Sequence, residues 1–107
     1  MISKSVVKSL AALAHESRLQ VFRTLVVAGP QGLTPGELAQ TIPIPSATLS
    51  FHLKELSNAG LISNVRNGRN LHYSADFQHM SELLEYLTEN CCQGQTCGVQ
   101  PPPLCDC

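Results

Sequence analysis

Apolar positions recur at three- and four-residue intervals through most of the chain, and the interruptions mark its joints. Val6, Val7, Leu10, Leu13 and Ala14 form one helical stripe; Leu19, Phe22, Leu25 and Val26 form a second. The polar triplet His15-Glu16-Ser17 separates these two predicted helices, and Gly29-Pro30 with Gly32 stops the second. Thr34-Pro35-Gly36-Glu37 is a helix start: a hydroxyl to cap, a proline suited to the first helical position, and a glutamate that can reach back. The short helix it opens runs to about Ile42. Pro43-Ile44-Pro45 makes a turn, and a longer helix is expected from Pro45 or Ser46 to about Ala59, stopped by Gly60.

Beyond Gly60 the period changes. Residues 61–66 and 69–74 read as short strands flanking Asn67-Gly68, both of which tolerate the positive φ of a type I′ turn. Asp76 can cap a last helix with Met80, Leu83, Leu84 and Leu87 on its apolar side. Tyr86 and the acids Glu82, Glu85 and Glu89 cover much of the rest. After Cys92, the glycines Gly94 and Gly98 and the run Pro101-Pro102-Pro103 predict loop. The order is α-α-α-α-β-β-α: a mainly α chain with a small β-hairpin, the pattern of a winged helix-turn-helix. Residues 1–90 are expected to form the folded DNA-binding and dimerisation unit, and residues 91–107 a cysteine-rich tail.

Size limits what this fold can do alone. A chain of 107 residues is about one domain, and small domains bury a reduced share of their surface. The stripe Met80, Leu83, Leu84 and Leu87 has little left to pack on within one copy, so it is expected to meet the first helix and its own mate across a two-fold axis. With no Trp, three Phe and two Tyr, the core should be aliphatic. No apolar run reaches the ~18 residues needed to span a membrane. The run Leu10-Ala11-Ala12-Leu13-Ala14 is shorter than the ~7–15 residues of a secretion signal. A cytoplasmic protein is expected.

The net charge of −1 is unevenly spread: +2 over residues 1–37, +2 over 38–75 and −5 over 76–107. A basic middle followed by an acidic end suits a nucleic-acid surface held away from a separate module. The predicted helix from Ser46 has two faces. Leu49, Leu53 and Leu56 fall on one stripe. Ala47, Ser50, Phe51, Lys54 and Asn58 point the other way, flanked by Thr48. Short polar side chains allow close approach to a major groove, so Ser46, Ala47, Thr48, Ser50, Phe51 and Lys54 are candidate DNA contacts. His52 sits beside the apolar stripe, where it should be half buried in a packing or hydrogen-bonding role. Arg66 and Arg69 bracket the hairpin tip and can grip phosphates or enter a narrow minor groove.

All five cysteines lie late in the chain: Cys91, Cys92, Cys97, Cys105 and Cys107. A secreted disulfide scaffold would spread an even number through the fold. Clustered thiols in a reducing compartment instead bind metal or sense redox state. No Lys or Arg follows Arg69 to bind an oxyanion substrate beside a nucleophilic thiol, and no phosphate loop or Ser/His/Asp set stands out, so an enzyme is not expected.

Taken together, His15-Glu16-Ser17-Arg18-Leu19, Ser50-Phe51-His52-Leu53-Lys54-Glu55-Leu56, and Arg66-Asn67-Gly68-Arg69 followed by Tyr73 resemble the ArsR/SmtB family of metal-responsive repressors over about residues 5–90. The resemblance implies a homodimer built from the first and last helices, a two-fold symmetric double-stranded operator, and release of DNA when inducer binds. The family's common arsenic site, a Cys-x-Cys in the short helix, is missing from Glu37-Leu38-Ala39-Gln40-Thr41-Ile42. Its zinc pattern on the last helix, Asp-x-His, reads Asp76-Phe77-Gln78 in this chain, with His79 one position off. What remains resembles a subgroup with a Cys-Cys pair and a third Cys past the last helix: Cys91, Cys92 and Cys97. Its inducers are trivalent arsenic and antimony, soft ions that prefer three thiolates. Zinc or cadmium in a four-thiolate site drawing on Cys105 and Cys107 is the chief alternative, and a disulfide redox switch the next.

Overall fold

The computed structural model describes residues 2–94. Its elements are α1 (Ser3–Leu13), α2 (Glu16–Ala28), α3 (Pro35–Thr41), α4 (Ser46–Asn58), β1 (Ile62–Asn67), β2 (Asn70–Ala75), α5 (Phe77–Thr88) and a one-turn 3-10 helix, Cys91–Gly94. The winged helix-turn-helix order expected from the periodicity is the one observed. The joint between α1 and α2 is tighter than the polar triplet suggests: Glu16 and Ser17 are already helical. His15 alone serves as N-cap, its Nδ1 accepting from the Ser17 N–H at 3.2 Å.

The core lies where α2, α3 and α4 converge. Val21, Leu25, Leu38, Ile42, Leu49, Leu53, Leu56 and Leu61 are buried there, with Ala12 from α1 and Ile62 and Ala75 from the foot of the hairpin. The core is aliphatic apart from Phe22, as the composition requires. Burying the Leu49, Leu53 and Leu56 stripe fixes the rotation of α4, which leaves its other face to solvent.

The start of α3 is a reciprocal cap. Glu37 N–H donates to Thr34 Oγ1 at 3.2 Å, and Thr34 N–H donates to Glu37 Oε1 at 2.9 Å. The bond from the Thr34 backbone, then that from its side chain, holds the Glu37 carboxyl below its usual 4.5, with a smaller push from His72. Thr34→Ala should destabilise the fold by about 1 kcal/mol, the usual size for the removal of a hydroxyl cap, measured by urea denaturation at pH 7. Because the native state favours ionised Glu37, this carboxylate's contribution is full above about pH 4.5 and fades as pH falls through the lower folded value. The deficit of Thr34→Ala should therefore narrow in acid.

The hairpin differs from its predicted register by one residue. Asn67 pairs with Asn70, so the two-residue loop is Gly68-Arg69 rather than Asn67-Gly68. Gly68 takes a φ of +66° while Arg69 stays out of the left-handed region, the requirement of a turn with glycine first. Arg69 therefore sits in the loop, and Arg66 lies opposite Leu71. A further rung, not visible in the sequence, ties the wing to the body. Leu33 and Tyr73 exchange two backbone hydrogen bonds of 2.8 Å each as an isolated antiparallel bridge.

Asp76 caps α5 by accepting from His79 N–H at 2.9 Å. The helix stops at Thr88, and Asn90, at a φ of 58°, separates it from the turn that holds Cys91 and Cys92. These cysteines thus stand in their own turn beyond the helix end. Leu83 is buried, whereas Leu87 and Tyr86 on α5 and Ile2, Val7 and Leu10 at and on α1 remain exposed. Ser3 Oγ lies 3.4 Å from Tyr86 Oη, which brings the start of α1 beside the end of α5. No helix among the described residues is long and apolar enough to cross a membrane.

Candidate nucleic-acid interface

Two features form the candidate interface: the outer face of α4 and the wing. Ser46, Ala47, Thr48, Ser50, Phe51 and Lys54 are all exposed, as are Arg66 and Arg69. The arrangement follows from α4's own pattern, since packing the leucines inward turns the small polar residues out. Its ends are set by Pro45 at the N-cap and Gly60, at a φ of +79°, just beyond the C-cap. An exposed helix face of Ser, Ala and Thr offers hydroxyls to base edges without bulk, and the wing arginines add cations suited to phosphate.

His52 is not half buried but fully so, at 4% exposure. Arg18 of α2 explains why an imidazole is tolerated there: its Nε–H donates to His52 Nδ1 at 3.3 Å. Burial, then His15 and Arg18 nearby, pushes the imidazole pKa below its usual 6.5. Arg18 also spans to Phe51, its guanidinium carbon 5.8 Å from the ring centroid. Sequence reasoning passed over this link. An isolated arginine in the first turn of α2 carries no signal of a partner 34 residues away.

Of the predicted thiol ligands, Cys91 is half-exposed in the one-turn helix that also contains Cys92. Cys97, Cys105 and Cys107 lie outside the described residues, so the structure neither assembles nor separates the set. Among the described residues, no group of three His, Cys, Asp or Glu side chains is placed to hold a metal ion.

The profile of a helix-turn-helix domain family matches residues 13–65, which run from the end of α1 through most of β1. The chain is 40% identical over 63 residues to YceK of Bacillus subtilis, an uncharacterised HTH-type transcriptional regulator, covering 59% of this chain and 62% of that protein. It is 31% identical over 80 residues to a Staphylococcus aureus homologue of the cadmium resistance regulatory protein CadC, covering 75% of this chain and 64% of that one. The chain thus spans a little under two-thirds of these relatives' length. Its fold superposes on an ArsR-like transcriptional regulator from Rhodococcus with a TM-score of 0.71 at 25% identity, covering 78% of this chain and 76% of that one. The chain is thus similar in fold and over its helix-turn-helix segment to ArsR-type winged helix-turn-helix proteins. The proteins it matches are transcription regulators.

The ArsR-type zinc pattern expected to fail on α5 has other employment in this chain. The Asp76 carboxylate caps the helix, and His79 turns inward. Its Nε2 lies 2.8 Å from Oγ of the fully buried Ser9 on α1, and its ring covers Gly60, where a side chain would crowd it. His79 is therefore a structural link between α1, α5 and the end of α4.

Proposed function

We propose that this protein is an ArsR-type, cytoplasmic, homodimeric repressor that binds double-stranded operator DNA through α4 and the wing and is released when trivalent arsenic or antimony binds Cys91, Cys92 and Cys97. The observation that carries the DNA reading is the exposed Ser46, Ala47, Thr48, Ser50, Phe51 and Lys54 face, backed by buried leucines and followed directly by Arg66 and Arg69. The exposed apolar residues of α1 and α5, brought side by side, support a dimer through those helices. Zinc or cadmium is the second reading for the inducer. It is favoured by the similarity to a cadmium resistance regulator and by the two further thiols, Cys105 and Cys107.

Labelled duplexes tiling the DNA upstream of the protein's own coding region test the first part. One of them should bind tightly, with log K falling steeply as salt rises. Arg66→Ala with Arg69→Ala should weaken binding to all duplexes and flatten that slope by about 0.9 for each phosphate no longer neutralised. Ser50→Ala or Thr48→Ala should instead relax base choice, at about 1–3 kcal/mol for each direct bond to a base edge that is removed. An unchanged slope in the arginine double variant would refute the wing assignment. Sedimentation of the wild type as a monomer at micromolar concentration would refute the dimer.

A further inference from the structure

The joint between α1 and α2 meets α4 at a cluster of nitrogen-bearing side chains. The buried His52 ring receives the Arg18 Nε–H on Nδ1 at 3.3 Å, so the ring is neutral and its proton lies on Nε2. The His15 ring stacks at a tilt beside it, centroids 4.7 Å apart. Arg18 reaches back from Nη1 to the Ala12 carbonyl at 3.5 Å and forward to the Phe51 ring, which is 52% exposed on the α4 face assigned to DNA. One guanidinium thus touches the end of α1, the α4 interior and the α4 surface.

We propose that Arg18 is a positioning residue of the DNA interface, and that its bond to neutral His52 is a proton-sensitive latch holding α4 and Phe51 in the DNA-binding arrangement. This rests on the DNA reading above. A proton on His52 Nδ1 removes the acceptor that Arg18 uses. It also sets an imidazolium against a guanidinium. His15 and Arg18 are the basic groups that act on His52, and both oppose its protonation. The α1 side presents only the Ala12 carbonyl to Arg18, while α3, β1 and the helix neighbours Lys54 and Glu55 supply no compensating charge to the ring. Arg18 must then withdraw, and Phe51 loses the cation on its face. The sign follows from the lowered pKa: the latch is closed above about pH 6.5 and opens as pH falls through the lower folded value. The cause is burial first, then the two neighbouring bases.

The test compares duplex binding between pH 7.5 and 5.5 for wild type, His52→Asn, His15→Asn and Arg18→Lys, using the tightest of the upstream duplexes. Asparagine places an amide oxygen near the position of Nδ1 and cannot be protonated in this range. Wild type should lose about tenfold more affinity in acid than His52→Asn does, a coupling of ~1.4 kcal/mol, and His15→Asn, which removes one group opposing protonation of His52, should lose at least as much. Arg18→Lys, lacking the Nε–H, should bind more weakly at pH 7.5 with a flattened pH profile. Equal acid losses in wild type and His52→Asn would overturn the latch alone. Failure of wild type to bind any duplex at any pH would overturn the DNA reading and the latch together. Nitrogen-15 spectra of the wild-type imidazoles keep the proposal testable should His52→Asn not fold. Nδ1 of His52 should be unprotonated at pH 7.5, and its titration should move the Phe51 ring and Arg18 Nε–H signals. A protonated Nδ1 at pH 7.5, or a Phe51 signal indifferent to the titration, would overturn it.

Discussion

Gly32→Ala should be among the most damaging single substitutions in the chain, lowering the thermal midpoint by more than about 10 °C. Two effects combine. Gly32 holds a φ of +67°, a conformation that costs a residue with a side chain roughly 1–2 kcal/mol. A Cβ at this position would also fall inside the van der Waals shell of the Tyr73 carbonyl oxygen. That oxygen accepts the 2.8 Å bond from Leu33 N–H, half of the bridge that ties the wing to the link between α2 and α3. Neither backbone can retreat without breaking the bridge, so a total loss of about 3 kcal/mol or more is expected, at about 4–8 °C per kcal/mol for a domain of this size. Gly68→Ala is the control. It shares a positive φ, +66°, but has nothing within 4 Å of the added carbon, so only the conformational part should appear. Equal midpoints for the two variants would mean that the strand edge does not close on Gly32. The folded fraction of Gly32→Ala should also bind DNA poorly, because the bridge is what orients the hairpin that carries Arg66 and Arg69.

The elements that local chemistry specifies were legible in the sequence. Thr34 and Glu37 announce α3, Asp76 announces α5, Gly60 ends α4, and the leucine spacing of α4 dictates which of its residues face out. What escaped was nonlocal. The Leu33–Tyr73 bridge is made by backbone atoms, and nothing in either residue type marks it. The burial of His52 depends on Arg18, which the folded chain brings to it from another helix. The wing register turned on which of two adjacent pairs, Asn67-Gly68 or Gly68-Arg69, occupies the loop, and both satisfy a glycine requirement at one position. The separate turn that holds Cys91 and Cys92 was not legible, because Asn90 is unremarkable as a letter. Asparagine is nevertheless among the few residues that enter the left-handed region readily enough to end a helix.

Cys91→Ser, Cys92→Ser and Cys97→Ser should each leave operator binding intact and abolish its release by antimonite. Serine keeps the shape of cysteine but offers a hard hydroxyl in place of a soft thiolate, so folding should survive while the ion loses a ligand. Cys91 and Cys92 share a single turn braced by the Gln93 N–H donating to the Asn90 carbonyl at 3.0 Å. This turn follows the end of α5, where Tyr86 meets Ser3 at the start of α1. Drawing Cys97 onto the pair would therefore act on the turn beyond Asn90, and through it on the exposed α1 and α5 surfaces proposed to join the dimer. The ion can weaken DNA binding only if it binds the DNA-free arrangement more tightly. A tenfold loss of affinity in the wild type needs ~1.4 kcal/mol of such coupling. The Cys105→Ser, Cys107→Ser double variant should respond as the wild type does, because three thiolates already satisfy a trivalent ion with a lone pair in its fourth direction. Binding titrations followed by thiolate ultraviolet absorption, with and without the operator duplex, measure both halves of the coupling. A double variant blind to antimonite beside a normally responsive Cys97→Ser would place the ligands among the last thiols instead. Release by zinc or cadmium but not by antimonite would make the site a four-thiolate one. Release by oxidant alone, reversed by a dithiol, would make the tail a redox switch.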